Sequence, residues 1–330
     1  MAKNTPGVIL LSFTHKALNM KTWLKPLLIA SMALAFSACS KQGPESAAAP
    51  EASPVAATAS NNTVGLAIST QNNPFFVTLK QGAEEAAKAS GLTLITVDAQ
   101  DDAAKQIASI EDLIQKKVKV ILINPTDSDA LVSAVKQANA AKIPVITLDR
   151  SVNGGEVISH IASDNVAGGK MAAEFLLEKI GKQGEIAELE GIAGSSAARE
   201  RGQGFHIVVD AEKGVKVAAK QPADFDRAKG LSVMENILQG NKKIKAVFAH
   251  NDEMALGAVQ ALEAAGLKNV IVVGFDATAD AVAAVKAGKM AATVQQKPEL
   301  IGKMGIEAAK KMIDGQTLEK NIPVPLELVK

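Results

Sequence analysis

Short apolar strands alternate with amphipathic helices through most of this chain, and this alternation constrains the fold more than any other feature. The strand patterns occupy residues 64–69, 92–98, 118–123, 144–148, 186–189, 215–220, 246–249, 270–274 and 292–295. The helical patterns occupy residues 75–90, 103–117, 127–141, 167–180, 198–211, 227–238, 253–265 and 298–313. Repeated strand–helix units predict parallel sheets covered by helices on both faces, the doubly wound α/β class.

An internal repeat predicts that this architecture occurs twice. Asn124 and Asp149 bracket one helix and the strand after it, and they are 25 positions apart. Asn251 and Asp276 bracket a second helix and strand with the same separation of 25 positions. The repeat indicates two similar lobes in which corresponding strands end in a polar residue. The chain beyond residue 62 is long enough to give both lobes a substantial core.

The first residues have the features of an export signal and are left out of the predicted fold. A basic stretch at residues 20–25 precedes an apolar run at residues 27–35 and small residues before Cys39. This order is typical of a secretory signal peptide, which we assign to residues 1–38, with Met20 as an alternative translation start. The apolar run is shorter than the roughly 20 residues that a membrane-spanning helix needs.

Cys39 is the only cysteine of the chain, so no intramolecular disulfide can form. The stretch Phe36-Ser-Ala-Cys39 resembles the lipobox of bacterial lipoproteins, whose cysteine carries the lipid. The alternative is an incidental cysteine of the signal region. Residues 40–62 are rich in Ala, Pro, Ser and Glu, a composition that predicts a flexible linker. Residues 39–62 would then be a lipid-anchor cysteine with its tether.

Composition and motif spacing argue against nucleic-acid binding and the common enzyme classes. Residues 1–38 contain four lysines and no acidic residue, so their removal changes the net charge from +1 to −3. A mildly acidic domain without a basic stripe is a poor nucleic-acid binder. Gly169-Lys170 is followed by Met171, so no P-loop is present, and Ser195 lies in no Gly-x-Ser-x-Gly elbow. The histidines lack metal-ligand spacing, so we expect no metal and no cofactor.

Polar residues follow the predicted strands at the ends where ligands bind in open α/β sheets. They are Asn73, Asp149, Arg150, Asn251, Asp276 and Gln296, with Arg201 at the start of a helix. A sugar hydroxyl donates one hydrogen bond to a carboxylate and accepts others from Arg or Asn. Phe75, Phe76 and Phe225 lie in the same loops, where an aromatic ring can pack on the apolar face of a sugar or belong to a satellite core. This set suits a neutral polyol.

Several long stretches resemble the pulse-type sugar-binding family of periplasmic binding proteins, and among them its ribose-binding members. The resemblance covers essentially all of residues 63–330. Its stretches are Asn72-Asn-Pro-Phe-Phe76, Leu122-Ile-Asn-Pro-Thr-Asp-Ser-Asp129, Ile143-Pro-Val-Ile-Thr-Leu-Asp-Arg150, Ser159-His-Ile-Ala-Ser-Asp-Asn165, Gly191-Ile-Ala-Gly194, Ser196-Ala-Ala-Arg-Glu-Arg201, Gln221-Pro-Ala-Asp-Phe-Asp-Arg227, Asn251-Asp-Glu-Met-Ala-Leu-Gly257 and Val273-Gly-Phe-Asp276.

The resemblance assigns roles to these residues. It implies hydrogen bonds to a pentose from Asn73, Asp149, Arg150, Arg201, Asn251, Asp276 and Gln296. It also implies that the sugar is sandwiched by Phe75, Phe76 and Phe225, with Ser69 and Ser163 nearby. The implied fold has a lobe of residues 63–163 and 297–325 and a lobe of residues 164–296 and 326–330, joined by three crossovers.

Members of this family close around the sugar by a hinge motion and deliver it to an ABC transporter permease, and some also present it to a chemoreceptor. The resemblance therefore implies a monomeric, non-enzymatic periplasmic protein that captures D-ribose or a close monosaccharide. Its only membrane attachment would be a lipid on Cys39. The lipobox cysteine and the long tether depart from the family pattern.

Other functions stay open at this stage. The ligand could be D-allose, another pentose or a furanose-like signalling molecule. A sugar-acting enzyme could use Asp149 and Asp276 as an acid–base pair, although carboxylates beside arginines serve binding equally well. A transcriptional regulator with the same two lobes would begin with a basic helix-turn-helix motif, whereas this chain begins with an export signal.

Overall fold

The computed structural model of the protein describes residues 62–330. The predicted signal peptide, Cys39 and the linker as far as residue 61 lie outside the described residues. Along the chain the elements are β1 (Thr63–Ile68), α1 (Pro74–Ala89), β2 (Thr93–Asp98), α2 (Ala103–Gln115), β3 (Val120–Ile123), α3 (Val132–Ala140), β4 (Val145–Leu148), β5 (Ser159–Ser163), α4 (Asn165–Lys179), β6 (Gly184–Glu190), α5 (Ser196–Val209), β7 (Val215–Pro222), α6 (Arg227–Gly240), β8 (Ile244–Ala249), α7 (Asp252–Ala264), β9 (Ile271–Asp276), α8 (Ala279–Lys286), β10 (Ala292–Gln295), α9 (Pro298–Ile313), β11 (Asn321–Val324) and β12 (Glu327–Val329).

The strands form two six-stranded sheets with the orders β11-β5-β4-β3-β1-β2 and β12-β10-β9-β8-β6-β7. Within the described chain the pairs are parallel, apart from the antiparallel pair of β10 and β12. β1 lies between β2 and β3, and β6 lies between β7 and β8, so the winding direction reverses at these two strands. The prediction of two doubly wound lobes is confirmed, and the switch points mark where a ligand crevice is expected.

Each sheet is buried on both faces because its strands are runs of branched apolar residues. In β3, Val120 and Leu122 pack in one core of the first lobe, whereas Ile121 and Ile123 pack in the core on the opposite face. Successive side chains of a strand point to opposite faces of the sheet. A continuous apolar run therefore fits only a sheet that is covered by helices on both faces. The second lobe repeats this arrangement with two further apolar clusters.

The chain passes between the two sheets three times: from β5 to β6, from β10 to β11 and from β11 to β12. Helix α9 returns to the first lobe and crosses α1 at close range. A Cβ atom added at Gly302 would lie 2.0 Å from the carbonyl oxygen of Leu79, and one added at Gly82 would lie 2.2 Å from that of Glu299. The glycines therefore permit a backbone contact between the two helices. The residue boundaries of the lobes stay a prediction.

Most predicted elements lie within a few residues of the observed ones, but helix α3 begins at Val132 rather than at residue 127. The Asp127 carboxylate accepts hydrogen bonds from the backbone N–H groups of Asp129 and Ala130, 2.9 and 2.8 Å long. These bonds stabilise a turn in a segment whose sequence pattern predicted a helix. An Asp side chain can bond to nearby backbone N–H groups and so competes with the backbone hydrogen bonds of a helix. The predicted elements did not include β5, α8, β11 or β12, which are all short.

Asparagine side chains fix the starts of two helices beside the crevice. The Asn73 side-chain oxygen accepts a 2.9 Å hydrogen bond from the backbone N–H of Phe75 and begins α1. The Asn251 side-chain oxygen accepts a 3.0 Å bond from the N–H of Met254 and begins α7. Such N-caps satisfy backbone donors that lack partners at a helix start. No described helix has both the length and the apolar character that crossing a membrane requires.

Candidate functional site

Residues of both lobes meet where the two sheets direct their carboxyl ends toward one another. The guanidinium carbon of Arg150, which follows β4 of the first lobe, lies 4.9 Å from the ring centre of Phe76 in the same lobe. It lies the same 4.9 Å from the ring centre of Phe225, which belongs to the second lobe. All three side chains are buried. The structure thus brings predicted residues of both lobes into one crevice.

Asp149 is held in the first lobe by a chain of side-chain hydrogen bonds. Ser69 donates a 2.7 Å bond to the Asn124 side-chain oxygen, and the Asn124 amide donates 3.2 Å bonds to Asp149 Oδ2 and to the Leu148 carbonyl oxygen. The other carboxylate oxygen, Asp149 Oδ1, is buried without a protein hydrogen-bond partner. Ser69 therefore supports Asp149 through Asn124, a residue to which the sequence analysis assigned no contact with the ligand.

Arg150 is buried beside this carboxylate but is poorly satisfied within the protein. Its Nε lies 3.6 Å from Asp149 Oδ2, beyond hydrogen-bond distance, and has no partner. Its Nη1 donates a long bond of 3.5 Å to the Pro125 carbonyl oxygen. A buried polar group without a partner costs about 1–3 kcal/mol. Arg150 Nε and Asp149 Oδ1 therefore form a donor and an acceptor that a buried ligand could satisfy.

The second lobe presents a matching carboxylate and guanidinium. Gln296 donates a 2.9 Å hydrogen bond to Asp276 Oδ1, and Arg201 Nη1 lies 3.6 Å from the same oxygen. Arg201 is fixed by a 2.9 Å bond from its Nε to the Asn165 side-chain oxygen and a 2.6 Å bond from Nη1 to the His250 carbonyl oxygen. The sequence analysis gave Asn165 and His250 no role, although both lie beside predicted residues.

The aromatic residues border the crevice from three positions. The rings of Phe75 and Phe76 meet edge to face with their centres 5.1 Å apart. Phe75 lines a cavity of about 660 Å³ together with Asp276 and Gln296. Phe225 has a backbone φ of 61° and packs on Gly191, where an added Cβ would lie 2.1 Å from the ring. Gly191 therefore permits the close approach that places Phe225 opposite Arg150.

The remaining predicted residues lie at the edges of this set. The Asn251 amide donates a 3.2 Å bond to the Phe225 carbonyl oxygen and so supports the aromatic loop. Asn73 shares a cavity of about 120 Å³ with Phe76, Arg150 and Phe225. The buried Ser163 hydroxyl at the end of β5 has no hydrogen-bond partner and contacts none of the others through a hydrogen bond. Gln296 Oε1 is likewise buried without a partner.

Burial keeps the two carboxylates of the crevice from ionising readily. It raises the pKa of Asp276 to about 7, although the Arg201 charge and the Gln296 hydrogen bond act in the opposite direction. It also raises the pKa of Asp149, against the charges of Arg150 and Arg201. Burial lowers the pKa of Arg150. The crevice thus opposes the charged forms of its own side chains, an environment that favours a neutral ligand with many hydroxyl groups.

The lobes also contact each other directly beside the crevice. The backbone N–H of Ser128 donates a 2.9 Å bond to the Gly194 carbonyl oxygen, and the N–H of Ser151 donates a 2.9 Å bond to the Ser196 hydroxyl. Arg199 donates a 3.1 Å bond to the Ser128 hydroxyl. The structure therefore shows the lobes in contact over the site. Among residues 62–330, no cluster of three or more His, Cys, Asp or Glu residues could hold a metal ion.

Two parallel α/β lobes in contact over a buried polar crevice define a type I periplasmic binding protein. The family model described as periplasmic binding protein domain matches residues 64–317, and the chain belongs to this family. It is 55% identical over 266 residues to the ribose import binding protein of Bacillus subtilis, a match that covers 81% of this chain and 86% of that protein.

Further relatives have the same architecture. The ribose import binding protein of Escherichia coli is 54% identical over 268 residues, covering 81% of this chain and 90% of the relative. A solved periplasmic solute-binding protein of Actinobacillus succinogenes with bound D-allose superposes with a TM-score of 0.77 and is 35% identical. That match covers 81% of this chain and 97% of the solved chain.

The raised pKa of Asp276 predicts how the ligand-free protein responds to pH. The folded state keeps a proton on Asp276 up to about pH 7, whereas an unperturbed Asp has a pKa of 3.8. The folded state therefore binds more protons than the unfolded chain between these pH values, and the free energy of unfolding falls as the pH rises through this window. We expect Asp276→Asn to melt at a higher temperature than the wild type at about pH 8 and at a similar temperature at about pH 4.

Thermal unfolding followed by circular dichroism without sugar checks this prediction. The exposed Asp314 at the end of α9 provides the control, because Asp314→Asn removes a carboxylate of the surface rather than of the crevice. Its pH profile should follow that of the wild type. A profile for Asp276→Asn that is equally steep would contradict the assigned cause.

Proposed function

We propose that this protein captures D-ribose between its lobes and delivers it to an ABC transporter. The observation that carries the proposal is the pairing of buried, unsatisfied polar atoms at the crevice: Asp149 Oδ1 as an acceptor and Arg150 Nε as a donor. The guanidinium carbon of Arg150 lies 4.9 Å from the ring centres of Phe76 and Phe225. The identity of 55% to a ribose import binding protein supports a pentose as the ligand.

A sugar matches this crevice because every hydroxyl can donate and accept at once. One hydroxyl can donate to Asp149 Oδ1, and its oxygen or a neighbouring one can accept from Arg150 Nε. Gln296 Oε1 adds a further acceptor, and the Ser163 hydroxyl adds a group that can donate or accept. Each bond removes the cost of a buried unpaired group, which is about 1–3 kcal/mol. The apolar faces of the pyranose ring would pack between the phenylalanine rings.

The division of the ligand groups between the lobes favours capture by hinge closure. Asp149, Arg150 and the two adjacent phenylalanines belong to the lobe that we assign to residues 63–163 and 297–325. Arg201, Phe225 and Asp276 belong to the lobe assigned to residues 164–296 and 326–330. A ligand shifts an open–closed equilibrium only by its different affinity for the two states. A sugar that contacts both lobes only when they are closed provides that difference.

The second candidate ligand is D-allose, which is the sugar bound in the solved relative of 35% identity. Allose as a pyranose carries a hydroxymethyl group that ribopyranose lacks, so it needs additional space in the crevice. Another pentose or a furanose-like signalling molecule belongs to the same class of alternatives. We propose binding without turnover, because carboxylates beside guanidiniums suit hydrogen bonds to a sugar and the relatives are named as import binding proteins.

Calorimetric titration of the protein with a panel of monosaccharides tests the ligand. We expect D-ribose to bind with a dissociation constant of micromolar or lower, which corresponds to at least about 8 kcal/mol. D-allose should bind more weakly, and the ribose recovered from the complex should be chemically unchanged. Millimolar ribose binding beside much tighter binding of another sugar would overturn the assignment of the ligand, and conversion of the sugar would overturn binding without turnover.

Two variants show whether the titration reports on this crevice. Asp149→Ala and Asp276→Ala each remove a charge-assisted hydrogen bond to the sugar, which contributes about 1.5–3 kcal/mol, so we expect the dissociation constant to rise at least tenfold. Asp112 is exposed on α2 and provides the matched control, since Asp112→Ala removes a carboxylate without affecting the crevice. Unchanged ribose affinity in either crevice variant would remove that residue from the proposed site.

Small-angle X-ray scattering tests closure. We expect saturating ribose to decrease the radius of gyration of the wild type, because closure brings the lobes together over the sugar. Asp149→Ala should show no decrease at the same ribose concentration, since it binds too weakly to be saturated. An unchanged radius in the saturated wild type would show that capture does not require closure. Tryptophan fluorescence is a poor substitute, because the only Trp, Trp23, belongs to the predicted signal peptide.

We also propose where the protein acts and which proteins it contacts. The protein would act as a monomer in the periplasm and dock on the permease of an ABC importer, and a chemoreceptor is a further candidate partner. The lone cysteine of Phe36-Ser-Ala-Cys39 and the polar stretch after it support attachment by a lipid. Bacterial lipoproteins carry more than one acyl chain, and a second chain makes membrane binding stable where one chain is marginal.

Fractionation of cells tests the anchor. We expect the wild type in the membrane fraction and Cys39→Ala in the soluble periplasmic fraction, with the same ribose affinity in both proteins. Ser37→Ala is the control, because it changes a neighbouring residue and keeps the cysteine. Soluble wild-type protein whose mature N-terminus is a residue other than Cys39 would refute lipidation without affecting the assignment of the sugar.

A further inference from the structure

A buried carboxylate in the second lobe connects its surface to the crevice. Glu188 lies on β6 with no exposed side-chain surface, and its two carboxylate oxygens face two different imidazoles. Oε1 lies 3.0 Å from His250 Nε2, and Oε2 lies 2.8 Å from His206 Nε2. None of these three residues belongs to the set proposed to contact the sugar. Their arrangement nevertheless leads directly to residues of that set.

The hydrogen bonds of His250 fix its tautomer and orientation. Its Nδ1 accepts a bond of 3.4 Å from the backbone N–H of Gly191, so the ring proton is on Nε2 and is donated to Glu188. Burial lowers the pKa of His250, which favours this neutral form. Two contacts lead from His250 to the crevice: its carbonyl oxygen accepts from Arg201 Nη1 at 2.6 Å, and Gly191 lies against the ring of Phe225.

The surroundings of His206 favour the charged ring, in contrast to those of His250, because both ring nitrogens of His206 face carboxylates. Nε2 lies 2.8 Å from Glu188 Oε2, and Nδ1 lies 3.0 Å from Asp210 Oδ1. Both contacts are hydrogen bonds only when both nitrogens carry a proton, which makes the ring an imidazolium cation. Burial alone would lower the pKa of His206, but the hydrogen bonds and charges of Asp210 and Glu188 outweigh it and raise the pKa.

The remaining charged group beside this cluster is Lys220 on β7. Its Nζ lies 3.4 Å from His206 Nε2, where its charge opposes protonation of the imidazole. The same Nζ lies 3.1 Å from Glu190 and 4.0 Å from Glu188, so acidic groups surround both cations. His206 is partly exposed and lines a surface cavity of about 430 Å³ with Lys220 and Glu190. Its proton can therefore exchange with solvent without opening the crevice.

We infer that His206 and Glu188 are positioning residues of the proposed sugar site. Protonated His206 holds Glu188, and Glu188 holds the His250 ring. His250 in turn fixes Arg201 and the loop beneath Phe225. The inference rests on the proposed function. We therefore expect the affinity for sugar to depend on pH. This dependence originates at His206, on the surface of the second lobe, which is not among the residues proposed to contact the sugar. Coupling of this kind is reciprocal, so bound sugar raises the pKa of His206.

The sign of the dependence follows from the raised pKa. The contribution of His206 is fully present below the pKa of an unperturbed histidine, about 6.5, and is lost as the pH rises through the higher folded-state value. Loss of the proton removes the imidazolium charge beside the buried Glu188 and leaves the ring a single N–H, which can be donated to Glu188 or to Asp210 but not to both. The affinity for sugar therefore falls in this alkaline range. Asp276 titrates at about pH 7 and gains acceptor strength when ionised, so its effect has the opposite sign.

A comparison of variants at several pH values separates the two effects. Ribose is titrated calorimetrically into the wild type and His206→Gln between about pH 6 and about pH 9. A Gln amide can donate to Glu188 but does not titrate, whereas Asp276 titrates equally in both proteins. We expect the ratio of the wild-type to the variant dissociation constant to rise roughly fivefold or more across this range. A constant ratio would overturn the inference.

Two further variants control for a purely structural effect. His160 of the first lobe forms a 2.8 Å bond with Thr147, and burial lowers its pKa, so His160→Gln changes a half-buried histidine that lies outside the cluster. This variant should keep the wild-type pH profile. Glu188→Gln replaces one acceptor oxygen by an amide donor that faces an N–H group, so it should bind ribose more weakly and with a flatter profile. A wild-type affinity and profile for Glu188→Gln would overturn its positioning role.

Side-chain NMR of the ligand-free protein provides a readout that does not depend on sugar. The Arg201 Nε–H signal should shift with the pKa of His206 in the wild type, and this shift should disappear in His206→Gln. Should the wild type fail to bind ribose, the proposed ligand would be wrong, and this titration alone would decide the inference. An Arg201 signal that is insensitive to the titration of His206 would overturn it.

Discussion

Burial of two carboxylates and two guanidiniums at the junction of the lobes is the constraint on which the rest of the structure depends. Charged groups lose hydration free energy when they leave water, and their mutual attraction compensates this loss only with good geometry and additional hydrogen bonds. Here both ion pairs have separations of 3.6 Å, so their attraction is incomplete. The raised pKa values of Asp149 and Asp276 express the remaining cost. A ligand with several hydroxyl groups can offset it.

The rest of the fold must stabilise this site, because burial of its charged groups lowers the free energy of unfolding. Asp149 follows β4 of the first sheet and Asp276 ends β9 of the second sheet. Their backbone φ angles are 63° and 118°, a region that non-glycine residues rarely adopt. Strained conformations of this kind persist where the surrounding structure determines them. The apolar clusters on both faces of each sheet provide this support, and the chain Ser69–Asn124–Asp149 and the bond from Gln296 to Asp276 fix the carboxylates.

The sequence predicted the sheets well because they depend on local patterns, and the proposed site residues lie together because they follow or precede those sheet elements. Apolar runs followed by helical patterns indicate a parallel sheet, and a polar residue directly after a strand lies at the edge where ligands bind. The supporting residues lack such a signal. Glu188 lies within an apolar strand, and its bonds to His206 and His250 join residues 18 and 62 positions away. Periodicity contains no information on contacts at that separation. The Asp127 turn that delays α3 is local, but its side-chain hydrogen bonds leave the apolar pattern of the segment unchanged.

Both lobes support their carboxylate–guanidinium pair, but they do so with different chemistry. The first lobe uses a neutral chain of Ser69 and Asn124, whose hydrogen bonds do not change between pH 5 and pH 8. The second lobe uses Glu188 and two histidines, of which the partly exposed His206 has a pKa raised by its carboxylate partners. Because the proposed closure brings both lobes onto the same sugar, we expect a change in either support to alter the affinity of the whole clamp. In the proposed clamp the second lobe is therefore the half whose supporting hydrogen bonds respond to pH, in addition to the titration of the two crevice carboxylates.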